Sequence, residues 1–317
     1  MSVYNKKPVG ILLFEQWHNR EDVGSSRLRG HWYIKNWEEA EQFRNGAQYE
    51  VIIFQKVYWK EYAKEFKGVK ILDVCDPDWL DTVSVKEMID NCDAITVSSE
   101  GLQKAMQEFT DKPVVFIPDR QDLSFHTKKK DHKGQGKAKK VIWFGYSQNA
   151  KLLDPTLRSL KKMGLQLTVL SECRPPYSSV AAYEKLILKG NETPEQIEEM
   201  QKKVDEENNN FIRNVKYQWE NPQWSFDDVI LEHDIVLLPP DIRPRGKYKS
   251  TNKTLTAWTL GMPVARNKAD LERFLNEDER VSEGELRYNE VREKFDVKQS
   301  VQELKDLIAQ IKNGKTV

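Results

Sequence analysis

The chain has 317 residues, a length typical of about two domains rather than one. Hydrophobic residues make up 38% of it and aromatic residues 10%, which excludes a wholly disordered chain. Its 50 basic and 50 acidic residues balance, so a protein that holds polyanions through bulk positive charge is disfavoured.

The cysteine and histidine content predicts neither a disulfide framework nor a metal site. Cys75, Cys92 and Cys173 are widely spaced, and the five histidines show no metal-ligand spacing. The apolar run at the N-terminus is too short for a signal peptide, and no run reaches the about 20 residues of a membrane helix. We therefore expect a cytoplasmic protein with no transmembrane segment, no metal and no cofactor.

Short apolar runs rich in Val and Ile recur through the first part of the chain, with amphipathic stretches between them. Continuous rather than alternating apolarity is typical of strands that are buried on both faces of a parallel sheet. The predicted strands are Val9–Phe14, Val51–Phe54, Ile71–Val74, Ala94–Val97 and Val114–Ile117. Apolar side chains from Leu28 to Phe43 recur at helical spacing, which predicts a helix there, capped by Ser25 or Ser26.

This rhythm breaks at residues 127–140, which read TKKKDHKGQGKAKK. The lysines and glycines predict an exposed, flexible linker with no buried residue; a basic tract that binds nucleic acid is the alternative. We therefore predict one domain over residues 1–126 and a second domain over residues 141–317, joined by this linker.

The strand and helix pattern resumes after the linker. The predicted strands of the second half are Val141–Phe144, Leu165–Leu170, Phe211–Val215, Ile235–Leu238 and Pro263–Ala265. Acid-rich residues 191–209 predict an exposed helical insertion, and the chain after Asp270 predicts helices. Two such halves predict an α/β protein with two doubly wound, Rossmann-like domains that face a cleft.

The strongest candidate site follows the strand that ends at Leu238. A cationic loop leads into a helix that begins near Ser250 or Thr251 and ends at Gly261. Free N–H groups and the helix dipole attract phosphate at such a place, so we predict a diphosphate site; a solvated cationic surface is the alternative. The predicted diphosphate ligands are Lys151, Arg243, Arg245, Lys249, Thr251, Asn252 and Lys253.

The turn after Val141–Phe144 is a candidate for binding the nucleoside. A glycine at position 145 lets a ligand approach the backbone, although an ordinary turn is the alternative. The GxGxxG fingerprint is absent, which disfavours an NAD-type oxidoreductase. The predicted nucleoside-binding residues are Gly145, Ser147, Glu172 and Tyr217.

The loop after the first strand, residues 15–30, is long, which favours function over mere connection. Glu15 and His18 in this loop, and Asp76 beyond the third strand, are the catalytic candidates for acid–base chemistry or hydroxyl binding. Ordinary turn roles are the alternative. Ser25, Ser26, Arg27 and Arg29 are further candidates in this loop, and we expect them at the cleft.

Several stretches resemble the GT-B glycosyltransferases of the family-4-like group, the glycosyl transferases group 1. They are CDAITVSSEGLQKAM with IPDRQDLSFH, VIWFGYSQNAK, and WSFDDVILEHDIVLLPP followed by KTLTAWTLGMPVA. Two glutamates common in this family fall on Tyr248 and Thr256, so the chain resembles a divergent member.

The resemblance implies an enzyme that moves a hexosyl or pentosyl group from a nucleotide diphosphate sugar to an acceptor without a metal. Cations would then stabilise the departing diphosphate. It also implies that residues 1–126 form the acceptor-side domain and residues 141–317 the nucleotide-sugar-binding domain with C-terminal helices. The acceptor-side residues would be Ser25, Ser26, Arg27 and Arg29. A glycan or a lipid-linked acceptor is the family default. Two alternatives stay open: a phage-type transferase acting on hydroxymethylpyrimidine bases of DNA, and a non-catalytic nucleotide-sugar-binding scaffold of the same fold.

Overall fold

The computed structural model describes residues 7–21, 23–81, 85–173, 193–216 and 226–314, with the backbone alone at 201 and 204–210. The chain folds into two compact units. Unit 1 comprises Met1–Phe125, Ile242–Asn252 and Glu293–Val317, and unit 2 comprises His126–Asp241 and Lys253–Arg292.

The bounds of the described strands and helices are as follows. The strands are β1 Val9–Leu13, β2 Ala40–Gln42, β3 Val51–Gln55, β4 Val69–Val74, β5 Ala94–Val97, β6 Val114–Phe116, β7 Lys140–Phe144, β8 Gln166–Ser171, β9 Ile212–Lys216, β10 Ile235–Leu237 and β11 Val264–Ala265. The helices are α1 Phe14–Trp17, α2 Gly24–Ser26, α3 Trp32–Lys35, α4 Lys60–Glu65, α5 Val85–Asp90, α6 Glu100–Gln107, α7 Asp154–Lys162, α8 Pro194–Phe211, α9 Phe226–Leu231, α10 Asn252–Thr259, α11 Lys268–Phe274, α12 Glu277–Lys294 and α13 Val297–Lys312.

The sheet of unit 1 has six parallel strands in the order β2-β1-β3-β4-β5-β6. Its strands are buried on both faces, as continuous apolar runs predict. Ile11 and Ile53 pack into a core on one face, where α13 also packs, and Leu12 and Phe54 pack into a core on the other. The sheet of unit 2 has five parallel strands in the order β11-β10-β7-β8-β9, over a core of its own. The prediction of a doubly wound α/β protein is confirmed.

All ten predicted strands are present, and β2 is the strand that the sequence pattern missed. The predicted helix through Phe43 ends instead at Lys35, and Ala40 begins β2 at the edge of the sheet. Ser25 and Ser26 lie within the first turn, because the helical segment begins at Gly24. A π turn at Arg27–His31 joins α2 to α3.

The lysine-rich segment at 127–140 belongs to unit 2 and is partly buried there, so the prediction that none of it is buried was wrong. His132 is 3% exposed and its Nε2 lies 3.2 Å from the Gly261 carbonyl. Burial lowers the pKa of His132 to about 4, so the ring is neutral and its burial carries little charge penalty. Lys130 Nζ donates to the Leu231 carbonyl at 2.7 Å.

Two segments of the predicted second domain belong to unit 1. In α13, Val301 and Leu304 pack into the core of unit 1. Arg120 Nη2 lies 2.7 Å from the carboxylate of Glu303. Segment Ile242–Asn252 also groups with unit 1, through contacts described below. Among the described residues, no helix is long and apolar enough to cross a membrane.

Candidate functional site

Each sheet has a topological switch point, which lies between two adjacent strands whose following connections lead to opposite sides of the sheet. In unit 1 this point lies between β1 and β3, because β2 is on the other side of β1. In unit 2 it lies between β7 and β10, with β8 on the other side of β7. Open α/β sheets bind ligands at the carboxyl ends of such strands, so these two places are the candidate sites.

Glu15, a predicted catalytic residue, stabilises the loop that follows β1 through its carboxylate. One of its carboxylate oxygens accepts a hydrogen bond from the Val23 backbone at 3.4 Å, and the other pairs with the His31 ring. The Ser26 hydroxyl accepts from the Glu15 backbone at 3.2 Å and donates to Gln55 at 3.0 Å. Ser26 is fully buried, so it ties the loop to the end of β3 instead of facing solvent.

His18 lies exposed at the end of α1, with its ring 4.3 Å from the ring of Phe14. Partial desolvation of the ring lowers the pKa of His18, and the positive charges of Arg20 and Lys56 lower it further. The imidazole is therefore mainly neutral at pH 7 and can accept a proton or hydrogen-bond a hydroxyl group.

Lys56 follows β3 directly and holds an unusual backbone conformation, with φ at 54°. Its side chain is buried, with the ammonium 2.6 Å from Asp76 and 3.6 Å from Asp78. A non-glycine residue at positive φ costs about 1–3 kcal/mol and persists where the surroundings enforce it, often at functional sites. The sequence signal for this cluster was the polar residues that follow two buried strands.

The two aspartates of this cluster lie in opposed electrostatic environments. Burial alone would raise the pKa of Asp76, but Lys56 and Lys249 outweigh it and hold this pKa below its usual range. Burial dominates at Asp78 and raises the pKa of that carboxyl, which accepts a hydrogen bond from Tyr58 at 2.7 Å. Neighbouring carboxyl groups with separated pKa values can take different roles in proton transfer.

Arg29 is buried, contrary to the expectation that it faces an open acceptor site. It is 1% exposed, and its Nε and Nη2 form a bidentate pair with Asp73 at 2.6–3.0 Å. Its Nη1 donates to the Ile117 carbonyl at 2.8 Å and to Asp119 at 3.1 Å. These bonds occupy the guanidinium inside unit 1, so Arg29 holds the ends of the strands together instead of facing solvent. Ser25 and Arg27 are half-buried, and their acceptor-side role stays a prediction.

Two of the predicted diphosphate ligands form ion pairs with carboxylates of unit 1. Lys249 Nζ lies 2.8 Å from Asp76, and Arg245 pairs with Asp81. These pairs reduce the positive charge that the loop presents. A phosphate ligand would have to compete with the two aspartates for these cations.

Backbone and ring contacts also anchor segment Ile242–Asn252 in unit 1. The Ser99 hydroxyl donates to the Tyr248 carbonyl at 2.9 Å, and the Tyr248 ring meets Trp79 edge-to-face at 5.1 Å. A Cβ on Gly101 would lie 2.1 Å from the Lys247 carbonyl oxygen, so this approach requires a glycine. Of the other predicted ligands here, Arg243 and Asn252 are half-buried and Thr251 is exposed.

In unit 2, Lys253 lies over the end of β7. It stands in the first turn of α10, and a Cβ on Gly145 would lie 2.2 Å from its ammonium. Gly145 has a φ of 152°, and the Lys253 ammonium is 5.0 Å from the centre of the Trp143 ring. A lysine, a helix N-terminus and a bare glycine backbone thus meet at the switch point of this sheet.

Glu172 and Ser147 meet beside this point. The Glu172 carboxylate accepts from the Ser147 backbone at 2.9–3.0 Å and from its hydroxyl at 2.6 Å. Two of the predicted nucleoside-binding residues are thus hydrogen-bonded to each other, and the Glu172 carboxylate is a group that accepts hydrogen bonds from hydroxyl groups. Lys151 is exposed in the same turn, and Tyr217 lies outside the described residues.

Arg266 was not among the candidate residues that the sequence suggested. It follows β11, and its guanidinium lies 3.4 Å from Thr254 of α10. A cation directly after a short apolar run was the available signal. Within the described ranges, no group of three or more His, Cys, Asp or Glu side chains is placed to hold a metal ion.

No family model matches the chain, and no curated protein matches its sequence. Solved structures do match over 95% of it. Anabaena Alr3699/HepE in complex with UDP and glucose is 10% identical, with 99% of that chain covered and a TM-score of 0.62. An alpha-glucosyltransferase in complex with UDP-glucose and DNA containing an abasic site is 11% identical, with 99% covered and a TM-score of 0.60. T4 phage BGT in complex with UDP-glucose is 10% identical, with 98% covered and a TM-score of 0.53.

These matches establish the fold of the chain. It is the GT-B fold. The sequence resemblance to GT-B proteins had implied this architecture.

Proposed function

We propose that this GT-B protein is a glycosyltransferase that moves a sugar from a nucleotide diphosphate sugar to an acceptor hydroxyl group. The observation that carries the proposal is the position of Lys253, whose ammonium lies over Gly145 at the switch point of unit 2. Three solved proteins of this fold were captured with UDP or UDP-glucose, which supports a nucleotide diphosphate as the ligand.

In this reaction the bond between the anomeric carbon and the diphosphate oxygen breaks, and a bond to the acceptor oxygen forms. The acceptor loses its proton, and negative charge grows on the departing diphosphate. Lys253 and the N–H groups at the start of α10 would stabilise that charge. Glu172, with its carboxylate at the Ser147 hydroxyl, would accept hydrogen bonds from the ribose.

Acceptor chemistry would take place at the residues of unit 1. A neutral His18, or the carboxyl pair Asp76 and Asp78, would take the acceptor proton. Lys56 would hold Asp76 in place through their 2.6 Å contact. We therefore assign donor binding mainly to unit 2 and acceptor selection to unit 1.

Transfer to a DNA base is the second candidate, because one protein of this fold was captured with DNA. A DNA acceptor predicts binding that weakens steeply with salt, because phosphate contacts release counterions. A scaffold without catalysis is the third, and predicts nucleotide binding without donor turnover.

The decisive experiment measures nucleotide binding first and turnover second. Thermal shift with UDP, other nucleoside diphosphates and the bare nucleosides should reveal one diphosphate that stabilises the protein more than its nucleoside does. Slow hydrolysis of the matching nucleotide sugar should then appear without an acceptor. If no nucleoside diphosphate raises the melting temperature, the proposal fails.

A further inference from the structure

Four aromatic rings contact one another in a row in unit 1 and are called the stack below; the outermost pair is tilted by 35°, and the other two pairs are stacked. Trp17 lies 5.0 Å from Trp59, Trp59 lies 4.6 Å from Tyr62, and Tyr62 lies 6.0 Å from Phe66. Buried Phe43 meets Tyr62 edge-on at 5.6 Å and supports the stack from the core. Such contacts hold each ring in one orientation.

Trp17 is the outermost ring of this stack and stays 43% exposed. It is the only tryptophan among the large hydrophobic side chains that are exposed in the described ranges. Its contact with Trp59 fixes the indole while leaving much of its surface to solvent. A fixed and open indole suits an apolar ligand face, because little conformational entropy is lost on binding.

Trp17 stands at the switch point of unit 1, because α1 follows β1 directly. His18 and Asn19 come next, both exposed, and Asn19 has a φ of 47°. The backbone of Arg20 donates to the Glu15 carbonyl at 2.8 Å, which fixes this turn. One apolar surface and two polar side chains are therefore presented by three consecutive residues at a ligand-binding edge.

Two cations near these rings in sequence are already paired with carboxylates. Lys60, next to Trp59, pairs with Glu87, and Arg44, next to Phe43, lies 2.7 Å from Glu41. A nucleic acid needs cations for its phosphates as well as rings for its bases. A sugar needs an apolar surface for its C–H groups and polar partners for its hydroxyl groups, which is the combination found here.

We propose that Trp17, His18 and Asn19 form an acceptor subsite for an uncharged sugar ring, so that the acceptor is a carbohydrate. The indole stacks on the C–H face of the ring, and His18 and Asn19 bind its hydroxyl groups. This proposal rests on the proposed function and names the acceptor class for it. The sugar is either part of a free glycan or the headgroup of a glycolipid.

The test compares the wild-type chain with Trp17→Ala and Trp17→Phe. Leu286→Ala is the matched control, since Leu286 is an exposed apolar residue of unit 2. Each protein is applied to an array of neutral oligosaccharides, to vesicles carrying a neutral glycolipid, and to a single-stranded DNA oligonucleotide at low and raised salt. Donor hydrolysis without acceptor is measured on the same preparations.

We expect the wild type to bind a neutral sugar on the array or the vesicles, and the responding support distinguishes the two sources. Trp17→Ala should weaken that binding about tenfold, and Trp17→Phe should restore part of it. Sugar binding by Leu286→Ala should equal that of the wild type. The rate of donor hydrolysis without acceptor should be the same in all these proteins.

Equal sugar binding by Trp17→Ala, binding of DNA alone, or no sugar binding at all would overturn the subsite. Failure of every nucleoside diphosphate to bind would instead overturn the proposed function, and sugar binding that depends on Trp17 would still be measurable.

Discussion

The lysines at the carboxyl edges of the two sheets make different contacts. In unit 1, Lys56 and Lys249 lie 2.6 and 2.8 Å from the two carboxylate oxygens of Asp76, so both ammonium groups form ion pairs within the fold. In unit 2, Lys253 lies over the backbone of Gly145 and faces the Trp143 ring. The first arrangement fixes a carboxylate, and the second places a cation at the switch point of its sheet.

This difference shows that a cation after a strand has no single meaning. Lys249 and Lys253 are four positions apart in one segment and share a predicted role. Their surroundings separate them, because Asp76 lies beside the ammonium of Lys249, whereas the backbone of Gly145 and the ring of Trp143 lie beside the ammonium of Lys253. Four predictions test this contrast, from the largest expected effect to the smallest.

The largest effect is expected when the buried guanidinium of Arg29 is removed from unit 1. Arg29→Ala leaves Asp73 and Asp119 buried without their partner, so the free energy of unfolding should fall by about 3–5 kcal/mol. Chemical denaturation followed by circular dichroism measures it. Lys151→Ala, an exposed lysine of unit 2, should stay within about 0.5 kcal/mol of wild type. Equal losses in the two variants would contradict a structural role for Arg29.

Lys253→Ala should weaken binding of UDP, or of whichever nucleoside diphosphate binds, by about 1–3 kcal/mol, because a charge-assisted contact is lost. Titration calorimetry measures this change. The matching nucleoside should bind as before, and the control Lys268→Ala should leave both affinities intact. If nucleoside and diphosphate weaken equally, Lys253 acts through folding and the phosphate assignment is wrong.

Asp76→Asn should make stability less dependent on pH. The folded pKa of Asp76 lies below its ordinary value, so the ionised carboxylate stabilises the fold above the unfolded pKa, about 3.9. That contribution disappears as pH falls through the lower folded pKa. Near pH 7 the variant should lose about 1–2 kcal/mol, and the difference from wild type should vanish in acid.

Exposed Asp81→Asn is the control for this experiment and should change stability by less than about 0.5 kcal/mol. A pH-independent loss in Asp76→Asn would show that packing, not charge, is responsible.

His18→Ala should affect turnover rather than folding or donor binding. With a proton acceptor removed, transfer should fall about tenfold or more, whereas nucleotide affinity should stay within about twofold. The melting temperature should hardly change, since the ring is exposed. Weaker nucleotide binding with unchanged turnover at saturating donor would make His18 a donor ligand and would break the proposed division between the units.

The sequence by itself determined the two doubly wound sheets and the position of α10. Buried parallel strands need continuous apolar runs, and this property is local, so ten strands were found where the pattern placed them. Gly261, with a φ of 70°, ends the helical region for an equally local reason. The strand β2 has the sequence Ala-Glu-Gln, so it lacks the apolar run from which the other strands were predicted.

Only the tertiary structure decided which polar residues are available to a ligand. Arg29 reads like a site residue in the sequence, but its partner Asp73 lies 44 positions away. Lys249 meets Asp76 across 173 positions. His132 is buried within a stretch of lysines because its neutral ring meets the carbonyl of Gly261, 129 positions away. An ion pair or a buried hydrogen bond depends on distances in space, and local periodicity carries no information about them.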